Sequence, residues 1–288
     1  MKHIKTYAKL FEAALVLTKE QTTFLDECTM GTWSINKEGF VDINGNFDCS
    51  NEKMPSKMIR DFNGISFGTV KGTFNCAHNK LTSLKGAPQE VGGGFDCDYN
   101  TLTSLKGAPQ EVVGYFNCNN NKLTSLEGAP QKAVAHFSCY NNKLVSLEGA
   151  PQEMLWGFNC INNELTSLKG GPQEIGGNFN CADNKLVSLE GAPRKVVGSF
   201  TSDFFKCPYG EWSLVWAGKH ILKYPILLTV LPPEILQDKI DKDPGKMIKE
   251  LKNYWNKLKK KPEYKSVEFP DNFKKAIMLA ANLTDIGL

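Results

Sequence analysis

Nine cysteines and four histidines are the residues of this 288-residue chain with the greatest capacity for chemistry. Thiols and imidazoles can bind zinc, but the cysteines lack the paired Cys-x-x-Cys spacing that encloses a tetrahedral ion. No nucleophile, metal or phosphate motif surrounds any of the histidines, which are His3, His78, His136 and His220. We therefore predict no enzymatic activity, no catalytic residue, no bound metal and no cofactor.

Carboxylates offer a second kind of chemistry. Asp96 and Asp98 are predicted to project from one strand, beside Asn75, Asn117 and Asn119 on its neighbours. Carboxylate and amide oxygens are the ligands that calcium prefers, so a calcium site is one interpretation. A solvated polar face explains the same pattern, and we favour that interpretation.

Repeats of 21 residues are the elements that position these side chains. Phenylalanine recurs at this interval as Phe74, Phe95, Phe116, Phe137, Phe158, Phe179 and Phe200. Two places later stand Cys76, Cys97, Cys118, Cys139, Cys160 and Cys181, and three places further on Asn79, Asn100, Asn121, Asn142, Asn163 and Asn184. A period this short cannot enclose its own core, so each copy must be one coil of a solenoid that stacks on its neighbours.

Each column of the repeat has a predicted structural role. Phe-x-Cys alternates as a strand does, so every coil should add a strand to a parallel sheet with both side chains on its inner face. The asparagine column should form an internal ladder that satisfies backbone groups at the next turn. Gly86 and Pro88, with their equivalents, should steer the outer arc without a helix. Phe47 and Cys49 are predicted to be an earlier, irregular copy.

The cysteines fit this architecture as free thiols. Seven of the nine, an odd number, occupy one column in which the pattern requires a small hydrophobic residue. The pattern therefore favours buried, unpaired cysteines and a reducing compartment.

The motif Val-x-x-x-Phe-x-Cys-x-x-Asn-x-Leu-x-Ser-Leu, over residues 67–203, resembles the leucine-rich repeat family. It is distantly similar to short bacterial leucine-rich repeats, and closer to the 21-residue "SLEGAP" repeat proteins of tailed bacteriophages. The resemblance implies an α/β fold, a leucine-rich-repeat solenoid with a parallel sheet, and a phage origin. Some bacterial relatives append a ubiquitin ligase with a catalytic cysteine. Here only Cys207 follows the repeats, without the Cys-x-Asp context, and that activity is not carried over.

The flanks of the repeats differ in composition. Residues 18–66 are predicted to form an amino-terminal cap, with a capping box at Thr18 and Gln21, a helix through Cys28 and a hairpin that turns at 37–39. Residues 204–288 are predicted to form a helical domain, because apolar residues recur at helical spacing from Met247 onward. An enzyme or a nucleic-acid-binding activity in this domain is an alternative function, since 257–261 is basic and follows Tyr254 and Trp255.

The amino-acid composition argues against two classes of partner, nucleic acid and membrane. The chain has 34 Lys and Arg against 31 Asp and Glu, a net charge of +3, which argues against a surface devoted to nucleic acid. No apolar run approaches the roughly 18 residues that a membrane-spanning helix needs. We predict a cytosolic protein in the host cytoplasm that does not contact membrane, and the sequence indicates no oligomeric state.

Departures from the repeat indicate a binding site. Outward strand positions are mostly small and polar, whereas Tyr115, His136, Tyr140 and Ile161 are large, and Trp156 occupies a column otherwise filled by glycine or alanine. Exposed aromatic residues are typical anchors of protein interfaces. We therefore predict a protein-binding module whose partner is a protein of the bacterial host, with a defence factor among the candidates. A local role, in which Trp156 covers a gap, explains that residue equally well.

The first residues carry one further resemblance. MKHIKTYAKLFEAALV is similar to the capsid-targeting leaders of internal head proteins in T-even-like phages, which a prohead protease cuts after Leu- or Ile-x-Glu. The resemblance implies cleavage after Glu12, within an amino-terminal segment at 1–17. A structural head protein packaged in the virion is therefore an alternative function.

Overall fold

A computed structural model of the chain describes residues 16–131, 135–186 and 189–202, and the backbone of 206–207. These residues form a parallel β-solenoid of about six coils with one helix at its amino-terminal end. The predicted repeat solenoid is therefore confirmed. Glu12, Tyr254, Trp255, the basic run at 257–261 and the helices predicted within 204–288 lie outside the described residues.

The amino-terminal cap has the predicted local structure. Helix α1 (Lys19–Cys28) begins at a capping box in which Thr18 and Gln21 each bond the other's backbone N–H. Strands β1 (Thr29–Ile35) and β2 (Val41–Asp48) pair as an antiparallel hairpin. The helix buries Phe24, and the ring of Phe24 lies 5.7 Å from that of Phe47, which closes the end of the core.

One column of strands carries the phenylalanines. Its members after β2 are β4 (Phe74–Asn75), β6 (Phe95–Asp96), β8 (Tyr115–Asn117), β9 (His136–Ser138), β11 (Phe158–Asn159), β13 (Phe179–Asn180), β15 (Phe200–Thr201) and the antiparallel β16 (Lys206–Cys207). The phenylalanines are in register, with neighbouring ring centroids 5.0–5.9 Å apart from Phe47 to Phe200. Phe47 thus begins the column, as predicted for the irregular first copy.

A second column of strands was not predicted. It comprises β3 (Phe67–Val70), β5 (Glu90–Val91), β7 (Glu111–Val112), β10 (Glu153–Met154), β12 (Glu174–Ile175) and β14 (Lys195–Val196). Each member pairs in parallel with the equivalent strand of a neighbouring coil, for example Val91 with Val112. The buried aliphatic residue faces the phenylalanine stack, so the core is enclosed by strands on two sides and by turns elsewhere.

The predicted asparagine ladder is confirmed. At Asn121, Nδ2 donates to the carbonyl oxygens of Cys97, Cys118 and Asn119 at 3.0, 3.3 and 3.0 Å. Its Oδ1 accepts from Leu102 N at 2.9 Å. One buried side chain therefore satisfies four backbone groups on two coils. The same pattern recurs at Asn79, Asn100, Asn142, Asn163 and Asn184.

The corner between the phenylalanine strand and the asparagine uses a left-handed backbone. The corner residues have φ between 46° and 55°, a region in which Asn, Asp and His are the most frequent non-glycine residues. They are His78, Tyr99, Asn120, Asn141, Asn162 and Asp183. The outer arc turns at glycine, since a Cβ on Gly86 would lie 2.4 Å from the carbonyl oxygen of Ile65. No helix forms in the described part of the arc, as expected.

The cysteines behave as small buried residues. All eight whose side chains are described are buried, and the seven from Cys28 to Cys160 are free. From Cys76 to Cys181 each thiol of the main column lies against a carbonyl of the next coil, as Cys76 Sγ does at 3.2 Å from Asp96 O. Burial raises the thiol pKa of the column members from Cys49 to Cys160 and raises the pKa of Cys28 to about 12. These thiols therefore stay protonated and pack as weak donors.

Candidate functional site

The strand face is the outward side of the phenylalanine column with the turn that leads into it: the residues two before, one before, one after and three after each phenylalanine. Tyr115 and His136 are partners in adjacent strands of this face, but their side chains diverge. A Cβ on Gly94 would lie 2.2 Å from Cε1 of Tyr115, and one on Gly157 would lie 3.0 Å from Nδ1 of His136. Tyr115 therefore extends over the preceding coil and His136 over the following one, so the predicted pair does not form one cluster.

Tyr140 belongs to a group that sequence reasoning missed. Its hydroxyl accepts a hydrogen bond from Asn120 Nδ2 at 3.1 Å, and its proximity raises the pKa of Tyr99. The ring of Tyr99 stacks on the imidazole of His78, with centroids 4.4 Å apart and planes 12° from parallel. Both rings stand at left-handed corners, where the other coils carry Asn or Asp. A bulky ring at such a corner is the signal that would have found them.

Asp96 and Asp98 lie beside the rings of His78 and Tyr99. Asp96 Oδ1 accepts from Asp98 N at 3.1 Å, and Asp96 Oδ2 from Asn117 Nδ2 at 3.2 Å. The side chain of Asp98 is only 14% exposed, and His78 Nε2 lies 4.0 Å from its Oδ1. The expected solvated face is therefore wrong at this point, because the strand geometry and the tyrosine rings remove these carboxylates from water.

Burial perturbs both carboxyl groups. It raises the pKa of Asp96, although hydrogen bonds from Asp98 N and Asn117 oppose the shift. Burial, followed by the charge of Asp96, raises the pKa of Asp98 to about 6, with His78 opposing. The pKa of Tyr115 is also raised, by burial and by the carboxylates of Asp96, Asp48 and Asp98. The carboxylates and the phenol thus share one partly desolvated, negative environment.

Asp98→Asn should stabilise the fold at neutral pH. The folded-state pKa of about 6 exceeds the roughly 3.9 of an unfolded aspartate, so the free energy of unfolding falls as pH rises through that interval. We expect the variant to be about 1 kcal/mol more stable near pH 7.5, less than the full shift implies because neighbouring groups are partly exposed. Near pH 4 the difference should vanish.

Urea denaturation at both pH values measures this difference. The groups that face Asp98, namely Asp96, His78, Tyr99 and Tyr115, stay unchanged in the variant. Asp183→Asn, at a corner where other coils carry asparagine, is the matched control and should not reproduce the gain in stability of Asp98→Asn. A variant less stable than wild type at neutral pH would contradict the prediction.

Trp156 and Leu155 form the most exposed apolar pair among the described residues. Each is 69% exposed, and Trp156 N donates to Ala135 O at 2.8 Å, which fixes the backbone beneath the ring. A groove of about 700 Å³ runs from Leu155 to Val197 and is bordered by Glu153, Glu174 and Lys195. The exposure of Trp156 does not fit the alternative role of covering a gap.

Ile161 occupies the position on the next coil that corresponds to Tyr140, and it is half-buried. The structure thus distributes the five predicted residues over three coils of one face. Tyr115 lies with the aspartates, Tyr140 with Tyr99, and Trp156 with Leu155. This arrangement provides a broad contact surface and no enclosed reaction centre within the described ranges.

The chemistry of the face can be tested against known kinds of site. In the part of the chain that the structure describes, no group of three or more His, Cys, Asp or Glu side chains is placed to hold a metal ion. Within the same ranges, no helix has the length and apolar character needed to cross a membrane. No cofactor or metal is therefore assigned to the face.

Comparison of the chain with protein-family models, with curated proteins and with solved structures finds no match. The described part of the chain defines its class by geometry alone: a parallel β-solenoid repeat protein with an aromatic and acidic strand face.

Proposed function

We propose that the protein is a non-enzymatic protein-binding module that presents its strand face to a partner protein. The observation that carries this proposal is the set of exposed aromatic residues on the stacked strands, in which Trp156 is 69% exposed and Tyr115 is 40% exposed. Such side chains bury much area on binding and lose little conformational freedom when their backbone is already fixed. The stacked coils provide that fixed backbone.

The origin and partner rest on the repeat motif. We propose that the solenoid is of the leucine-rich-repeat kind found in tailed bacteriophages, and that it acts in the host cytoplasm on a bacterial protein. Inhibition of a defence factor is the role that suits a rigid binding module of phage origin. The buried free thiols are compatible with a reducing compartment.

Trp156→Ala should lower retention of the partner at least about tenfold, because a central exposed tryptophan is a common hot spot of protein interfaces. Alanine occupies the equivalent position in the preceding coil, at Ala135, so the variant should fold. The measurement is affinity capture from bacterial host lysate with quantitative mass spectrometry. Val145→Ala is the matched control, since Val145 is 58% exposed but lies off the strand face.

Two results would contradict the proposal. Equal retention by wild type, Trp156→Ala and Tyr115→Ala would remove the strand face as the binding surface. Retention of no protein, together with recovery of the chain from purified phage particles cut after Glu12, would favour the virion-component function instead.

A further inference from the structure

The strand face has a charge distribution unlike that of the whole chain. Basic and acidic residues are nearly balanced overall, 34 against 31. From Phe47 to Phe179, however, the strand-face positions and the adjoining corner positions contain no lysine or arginine. They do contain Asp48, Asp96, Asp98 and Asp183. Lysines begin only two places beyond the corner, at Lys80, Lys122, Lys143 and Lys185.

The aspartates of the central pair are not what the fold requires. The position of Asp96 is asparagine in four other coils, at Asn75, Asn117, Asn159 and Asn180. The position of Asp98 is asparagine in the next coil, at Asn119. Two half-buried carboxyl groups on one coil repel each other when ionised, whereas amides would not. Residues that depart from a repeat at a cost in stability are typical of binding positions.

Aromatic rings frame the same carboxylates. Tyr115 extends over Gly94 from one side, close enough to Asp96 and Asp98 that their charges raise its pKa. On the other side, Tyr99 stands at the corner of the coil that carries the two aspartates, and its ring stacks on His78 at the corner of the preceding coil. Carboxylates beside aromatic faces favour a planar cation, because a guanidinium pairs with the oxygens and stacks on the rings at once.

We propose that this part of the strand face holds an arginine side chain of the partner protein, with Asp96 and Asp98 as its anionic ligands and Tyr99 and Tyr115 as its flanking rings. The inference rests on the proposed function, because it specifies the chemistry by which that partner is recognised. No lysine or arginine occupies these face positions, and the basic group beside the pair is His78, whose Nε2 lies 4.0 Å from Asp98 Oδ1. Each carboxylate oxygen can accept more than one hydrogen bond, so an incoming guanidinium can pair with Asp96 and Asp98 beside the bonds from Asp98 N and Asn117.

Titration with a short peptide tests the proposal without knowledge of the partner. The probe is acetyl-Gly-Arg-Gly-amide, and the neutral control is the same peptide with citrulline, which keeps the shape of arginine without its charge. With the full-length protein carrying ¹³C-labelled tyrosine, the ring signals of Tyr99 and Tyr115 should shift with the arginine peptide only. No shift with arginine, or equal shifts with both peptides, would overturn the proposal.

A double variant and a control variant test whether Asp96 and Asp98 bind the arginine peptide. Asp96→Asn combined with Asp98→Asn should weaken arginine-peptide binding at least about fivefold, because both charged acceptors are lost. The fold should survive, since asparagine occupies both positions in other coils. Asp183→Asn, on a distant coil of the same face, should leave peptide affinity unchanged. An unchanged affinity in the double variant would overturn the assignment.

Capture from lysate separates failure of this inference from failure of the proposed function. A partner that is lost with Trp156→Ala but retained by the double aspartate variant would leave the binding function intact and overturn the arginine site. If lysate yields no partner, the binding function fails, and the peptide titration still decides whether the face binds a guanidinium group.

Discussion

Asn142→Ala should lower the free energy of unfolding by about 3 kcal/mol, because it removes four buried hydrogen bonds and leaves the buried N–H of Leu123 without its acceptor. Nδ2 of Asn142 donates to the carbonyl oxygens of Cys118, Cys139 and Tyr140, at 3.0–3.3 Å. Its Oδ1 accepts from Leu123 N at 3.0 Å. Asn142 is only 8% exposed, so water cannot readily replace these bonds.

The adjacent asparagine provides a matched control for that substitution. Asn141 bonds only to other exposed asparagine side chains through its amide, and its φ of 53° suits glycine. Asn141→Gly should therefore cost less than about 1 kcal/mol. Urea denaturation followed by circular dichroism compares the two variants. Similar losses in both would mean that the buried ladder is not what holds neighbouring coils together.

Phe137→Ala should cost about 4 kcal/mol, the second large effect, because it removes one ring from the continuous stack and leaves a cavity in a middle coil. The ring of Phe137 lies 5.2 Å from that of Phe116 and 5.3 Å from that of Phe158, and it is fully buried. Neighbouring coils contact each other directly, so the cavity weakens the interfaces on both of its sides.

Phe137→Leu separates ring stacking from simple volume. Leucine fills most of the space but cannot stack, and a loss of about 1–2 kcal/mol is expected from the change in shape. Thermal and urea denaturation of both variants test the order of effects. If alanine cost no more than leucine, the core would be collapsing around the missing ring, and the stack would not be a rigid column.

The repeat made most of the solenoid predictable. Phenylalanine, cysteine and asparagine each recur at a constant interval, and each type has a physical reason for its column. The phenylalanine rings stack, cysteine is a small buried group, and the asparagine amide makes four hydrogen bonds to the backbone. The cap was also predictable, because Thr18 and Gln21 form a local motif whose geometry depends on no distant residue. The second column of strands was not predicted, because most of its members are only two residues long and are too short to show the alternating pattern of a strand.

The candidate binding residues of the strand face were predicted only by their positions in the repeat. Alignment of the coils brought Tyr115 and His136 together, but side-chain direction depends on space in the neighbouring coils, and Gly94 and Gly157 open that space on opposite sides. The corner residues were overlooked because a left-handed turn does not belong to the strand pattern. Tyr99 and His78 therefore entered the site only once the backbone was known.

Because the phenylalanine column is in register, the length of the solenoid is set by the number of its coils. Each coil follows the last by one strand spacing, about 4.8 Å, and presents nearly the same surface to the next. Unequal recombination between the similar DNA copies would therefore insert or delete whole coils while both ends keep their contacts. The length of the face can change in fixed steps over generations, independently of the few side chains that depart from the repeat.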